Sequence, residues 1–292
     1  MEPPYSSPRL PPELERVVFE MAAFSWRTTI PNLMLVAWRV RNWIEPFLRV
    51  VILCDSQAHH ICGFPTITSE ILRRINEKQP PGYLVNIVSH LFMDDDVNWS
   101  PTEVEIILMA CNRVTTAFLA VPSCPLSAVA TFYRLRRLAI LFTELQDLSE
   151  SDRATVLHNL THLALLNSDG ASSCRNPEAF LAMLPHLTHI SFDGIGLIKM
   201  CLAFCASTQV HYIVCLCPRP LEMIQNRVQP LIHDSRFVCI DQQGNRREAW
   251  LRGIDGGQDY WTLAENFIVA RRAGRVNSSR YRIVFDDDSW RC

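Results

Sequence analysis

The chain has 292 residues, 48% of them hydrophobic and 20% charged, with 10 glycines and a formal net charge of -2. That composition excludes collagen-like and wholly disordered chains. A charge so near zero gives no global attraction to phosphate backbones or anionic lipid, so neither nucleic acid nor membrane is an expected partner.

Residues 1–9 read as a disordered tail, without the basic start and apolar run of a secretory signal. No uncharged apolar stretch approaches the ~20 residues that cross a bilayer, which places the chain in the cytoplasm or nucleus. There the eleven cysteines, odd in number and scattered from Cys54 to Cys292, read as small buried apolar residues and not as staples.

From residue 10 the spacing predicts helices. Leu14, Val17, Val18, Met21 and Ala22 recur at helical intervals after Pro11 and Pro12, which a first helical turn tolerates. A second stripe, Leu33, Val36, Ala37, Val40, Trp43, Ile44 and Phe47, starts at Pro31 and is disturbed by Pro46. Two short helices cannot bury their apolar faces alone, so they dock on the body or on a partner.

The frame Leu10-Pro11 then Glu13-Leu14, the pair Val18-Phe19, and the Leu-rich second helix ending in Val40-Arg41-Asn42-Trp43 resembles an F-box over residues 10–50. The resemblance implies binding to the adaptor protein of an SCF-type (cullin-RING) ubiquitin ligase. The matching adaptor-binding positions are Leu10, Pro11, Leu14, Val18, Phe19, Leu33, Val36, Val40 and Trp43.

From Val88 onward an aliphatic-x-x-aliphatic-x-apolar frame returns seven times, starting at Val88, Val114, Leu135, Leu160, Leu187, Val210 and Phe237. The starts lie 21 to 27 residues apart, within the roughly 20–29 residues of a leucine-rich repeat. Helix signals fall between them: the capping box Ser100-Pro101-Thr102-Glu103, Asn176-Pro177 before Phe180, Leu181 and Leu184, and the stripe Leu221, Ile224, Val228. The fold expected is α/β: an F-box-like helical segment, then over residues 51–258 an irregular solenoid that resembles degenerate leucine-rich repeats.

In such a solenoid the third frame position faces solvent on the concave side, giving the column His90, Thr116, Arg137, His162, His189, Tyr212 and Cys239. The fifth position adds Phe92, Phe118, Ala139, Ala164, Ser191, Val214 and Asp241. Imidazoles, arginine and aromatics combine apolar area with hydrogen bonding. His90, Phe92, Phe118, Arg137, His162, His189 and Tyr212 are therefore the candidate target-binding residues.

Residues 259–292 read as a capping helix and tail. Asp259 is an N-cap, Tyr260, Leu263, Ala264 and Phe267 share a face, Arg271 and Arg272 occupy the last turn and Gly274 the exit. The helix is expected to cover the open edge of the last repeat. The whole layout resembles F-box-like proteins with degenerate repeats common in mushroom-forming fungi.

Gly-x-Ser-x-Gly, His-Glu-x-x-His, a Walker loop and paired Cys-x-x-Cys do not occur. Cys54, His59, His60 and Cys62 fit no common zinc spacing, the triplets Asp94-Asp95-Asp96 and Asp286-Asp287-Asp288 read as solvated turns, and Cys215 and Cys217 read as core. The expectation is a non-enzymatic, monomeric substrate-recognition subunit of an SCF-type ligase, with no cofactor or metal, binding the adaptor and a protein target. A scaffold outside any ligase and an enzyme using the histidine column are the alternatives.

Overall fold

The computed structural model describes residues 10–53, 66–67, 73–74, 77–78, 88–93, 100–147, 149–166, 176–193, 198–217, 228–241, 246–254, 258–284 and 290. The tail 1–9, the Cys54–Cys62 cluster, both aspartate triplets, Leu221 and Ile224 lie outside them.

Three helices open the chain: α1 (Pro12–Ser25), α2 (Ile30–Leu33) and α3 (Trp38–Ile44). Proline in the first turn of α1 forfeits no bond, and Glu13 and Glu15 there favour the helix dipole. The second apolar stripe does not form one helix. It breaks before Ala37, whose extended backbone (φ -162°, ψ 154°) starts α3 afresh. Its 3.6-residue period runs on through the break, so spacing alone does not locate it. Together the helices bury a small core of Ala23, Ile30, Val40 and Ile44.

A ten-stranded sheet follows, with every adjacent pair parallel. Its strands are β1 (Val50–Leu53), β2 (Thr66–Ile67), β3 (His90–Met93), β4 (Thr116–Leu119), β5 (Arg137–Leu141), β6 (His162–Leu166), β7 (His189–Asp193), β8 (Tyr212–Cys217), β9 (Phe237–Asp241) and β10 (Arg282–Val284). Spatial order follows chain order except that β1 lies between β2 and β3.

Crossovers carry α4 (Pro101–Ala110), α5 (Leu126–Val129), α6 (Phe142–Asp147), α7 (Glu150–Leu157), α8 (Pro177–Ala182) and α9 (Ile198–Ala206). Both halves of the Ser100–Glu103 capping box start α4, and Asn176 caps α8 through the Ala179 amide. These helices cover one face of the sheet, where Leu91, Leu138, Leu163, Ile190, Ile213 and Phe237 join Leu108, Phe142 and Phe204 in the main core.

The opposite face overturns the expected solenoid. After β9 come α10 (Arg246–Ile254) and α11 (Tyr260–Arg272). They lie across the face that was to be concave and open, burying Phe92, Phe118, Ala139, Ala164, Val214 and Val238 beneath Trp250, Tyr260, Leu263, Ala264, Phe267 and Ile268. The protein is thus one all-parallel sheet with helices on both sides, an α/β fold. The helix begun by Asp259 covers a face and does not cap an edge.

The physical reason is that the fifth frame position is apolar almost throughout. An apolar side chain left in water forgoes about 25 cal/mol per Å², and strands apolar on both faces mark a sheet buried on both.

Register fails once. The frame places Cys239 beside Tyr212, but β9 sets Cys239 against Cys215 and Phe237 against Ile213. This three-residue slip moves Cys239 and Asp241 to the main-core side.

The end of α11 is tied down through Arg271, a buried side chain that donates to the carbonyls of Ser235, Phe237 and Arg280. Left unpaired in the core these acceptors would be costly, so Arg271→Met is expected to lower unfolding free energy by about 3 kcal/mol, measured by urea denaturation. Among the described residues, no helix is long and apolar enough to cross a membrane.

Candidate functional site

On α1, the stripe that sequence periodicity would assign to a core faces water. Leu14 is 52% exposed, and Val17, Val18, Met21 and Phe24 are exposed with it. The opposite side of the same helix supplies Ala23 and Phe19 to the small helical core. Beyond the turn, Leu35 (85%), Val36 and Trp38 (70%) are exposed as well. Contiguous apolar surface of this kind on a folded chain marks an interaction site.

The nine residues assigned to adaptor binding therefore divide. Leu10, Pro11, Leu14, Val18 and Val36 are exposed; Phe19, Leu33 and Trp43 are half-buried; Val40 is sealed in the helical core. Sequence reading missed Val17, Met21, Phe24, Trp26, Leu35 and Trp38. The available signal was that α1 is apolar on two sides, more than one small core can absorb. Polar groups frame the patch: Arg39 pairs with Glu15 at 2.9 Å and Arg16 with Glu20 at 2.7 Å, and the Arg41 guanidinium lies over the Trp38 ring.

A second constellation sits on the sheet. His90, Thr116, Arg137, His162, His189 and Tyr212 are each the first residue of a strand and stand in register from β3 to β8. Parallel pairing stacks them: the His162 and His189 rings lie 4.0 Å apart at 5°, and His189 and Tyr212 4.4 Å apart at 13°. Trp261 of α11 meets both imidazoles edge-on.

As target-binding residues they need correction. Phe92 and Phe118 stack on each other under Trp250 and His189 is buried, all because α10 and α11 cover this face. His90, Arg137, His162 and Tyr212 keep partial access. A cavity of about 300 Å³ remains at this end of the sheet, lined by His90, Arg137, His162, Trp250, Asp259 and Trp261 among others.

Asp259 is buried there, accepts from the Thr262 amide as the N-cap of α11, and meets the Arg137 guanidinium at 3.3 Å. Gly253 packs so closely that a Cβ in its place would fall 2.5 Å from Asp259 Oδ2. Deeper in, the Tyr260 hydroxyl and Ser191 share a hydrogen bond across the helix–sheet interface.

A threonine hydroxyl contacts Nδ1 of each imidazole. Thr161 Oγ1 lies within hydrogen-bond distance of both the Arg136 carbonyl, at 3.1 Å, and His162 Nδ1, at 2.9 Å, and its single proton can serve only one of them. Thr188 does the same for His189 through the Thr161 carbonyl. His162 Nε2 has no hydrogen-bond partner, and His189 Nε2 lies 3.0 Å from Glu265 Oε1 without hydrogen-bond alignment.

Burial is the largest cause holding both rings neutral. It lowers His162 to about 2, with His189 and Arg137 adding, and His189 to about 4, with Arg137 and His211 adding. Burial, then Asp259, pushes the Glu265 carboxyl up.

Nε2 of both histidines and a Glu265 oxygen lie within 4.8 Å of one another, yet they do not form a metal site. Two parallel imidazoles, their centroids 4.0 Å apart, aim their Nε2 atoms side by side. An ion between them would stand about 2 Å out of each ring plane, the length of a whole metal–nitrogen bond.

Fold and surface together define an α/β protein with an uncovered apolar helical face and a histidine-lined cavity. Compared with protein-family models and with curated proteins, the chain matches none.

Proposed function

We propose that the chain is a substrate-recognition subunit of an SCF-type ubiquitin ligase, in which α1–α3 dock the adaptor protein and the sheet-bearing body carries a protein target. The observation that carries this reading is the solvent-facing stripe Leu14, Val17, Val18 and Met21 on α1, with Leu35, Val36 and Trp38 also exposed in the same helical segment. It lies where the Leu10-Pro11…Glu13-Leu14…Val18-Phe19 frame resembles an adaptor-binding segment. Its exposed centre and charged rim have the anatomy of a protein interface.

Leu14→Asp tests it. The side chain is half exposed, so the charge leaves the fold intact and acts on the docked state, where an unpaired buried carboxylate is costly. Wild-type protein is expected to retain the SCF adaptor in a pull-down and the variant to lose at least tenfold in affinity. Equal retention by both would refute the assignment.

One observation favours a second reading, an enzyme using the histidine column: the His189–Glu265 contact at 3.0 Å next to a cavity. Burial argues against it, because a general base works best with a pKa near the operating pH, and both imidazoles are held far below that.

A further inference from the structure

The structure assigns a soft-metal site to Cys215, Cys217 and Cys239, three thiols that meet on the main-core face of β8 and β9. Residues two apart on a strand share a face, which places Cys215 and Cys217 together. The register of β9 sets Cys239 directly opposite Cys215. The sulfurs of Cys217 and Cys239 are 3.0 Å apart, those of Cys215 and Cys217 3.6 Å, and all three lie within 4.8 Å of one another.

A point equidistant from such a triangle is about 2.4 Å or less from each sulfur, the length of a metal–thiolate bond. Unlike the paired imidazoles, a thiolate can present a lone pair in several directions, so the trio can converge on one ion. The observed separations are too long for a disulfide, which needs about 2.05 Å.

Thiolate ligands select soft cations, chiefly Cu(I) and Zn(II). Zinc takes four ligands in structural sites, and no fourth His, Cys, Asp or Glu joins the trio among the described residues. Three donors favour Cu(I). Loading forms three Cu–S bonds; each ligand that starts as a thiol breaks its S–H bond, and its proton passes to solvent.

The test titrates the full-length, reduced chain anaerobically with Cu(I), against a competing Cu(I) chelator, and in parallel with Zn(II). One tight equivalent of Cu(I) with an all-sulfur first shell in X-ray absorption is expected. Cys217→Ser and Cys239→Ser should each weaken it at least a hundredfold, while Cys205→Ser, outside the trio, leaves it unchanged. Circular dichroism of each variant separates lost binding from lost folding, and Cys239→Val, which keeps the core apolar, must also lose the metal.

Tight Zn(II) with Cu(I) excluded would support the three-thiolate site and overturn the copper assignment. Stoichiometric uptake of neither ion, uptake surviving the Cys217 and Cys239 substitutions, or a Cys217–Cys239 disulfide found by peptide mapping would overturn the site.

Discussion

Phe267→Ala is expected to lower unfolding free energy by about 4 kcal/mol, the range for emptying an aromatic site in a packed core. Phe267 has no exposed surface and belongs to the second core with Phe118, Val214 and Val238 of the sheet. Trp290 meets it edge-on at 5.5 Å, and the Arg271 and Arg280 guanidinium groups lie over its ring. None of these neighbours can collapse into the space without leaving another contact. Val269, two residues on and 47% exposed, is the control: Val269→Ala should change stability by no more than about 0.5 kcal/mol. Equal costs for the two, read from urea unfolding, would mean that α11 does not seal the sheet face.

Acid is expected to destabilise the protein by about 3 kcal/mol between pH 7 and pH 5, through His162 and His189. Their folded pKa values, about 2 and about 4, lie below the ordinary value of 6.5. The unfolded chain therefore takes up protons that the folded chain refuses. The stability they contribute is fully present above about pH 6.5 and is lost as pH falls, toward about 4 for His189 and toward about 2 for His162.

Each proton bound only on unfolding changes stability by about 1.4 kcal/mol per pH unit. Glu265, whose pKa is raised, works in the opposite sense and trims the total. Replacing both histidines by Asn should flatten the dependence over this window. An unchanged pH profile in the double variant would place the acid response elsewhere.

Much of the local structure was legible. The capping signals at Ser100, Asn176 and Asp259 each start the helix they announce, because a cap is a contract among residues three apart. Strands lie at the seven repeated frames, since short apolar runs of this kind, spaced by helix signals, mark strands of a parallel sheet. The aligned third-position column from His90 to Tyr212 was legible for the same reason, and it became the stacked row beside the cavity. What failed was the judgement that this face is open. Phe92 and Phe118 look like recognition residues in the sequence, but with Ala139 and Ala164 they make four apolar residues in register, the mark of a second covering layer.

From the sequence by itself came the elements, their caps and the residues that share a face, all set by interactions over a few positions. Tertiary structure alone decided what covers each face. It turned the main stripe of α1 to water, laid α11 over the sheet, slipped β9 by three residues and so brought Cys239 to Cys215 and Cys217. Periodicity records how side chains are sorted around an element, whereas the partner of a face is chosen by contacts such as Arg137 with Asp259, 122 positions apart, which no local pattern encodes.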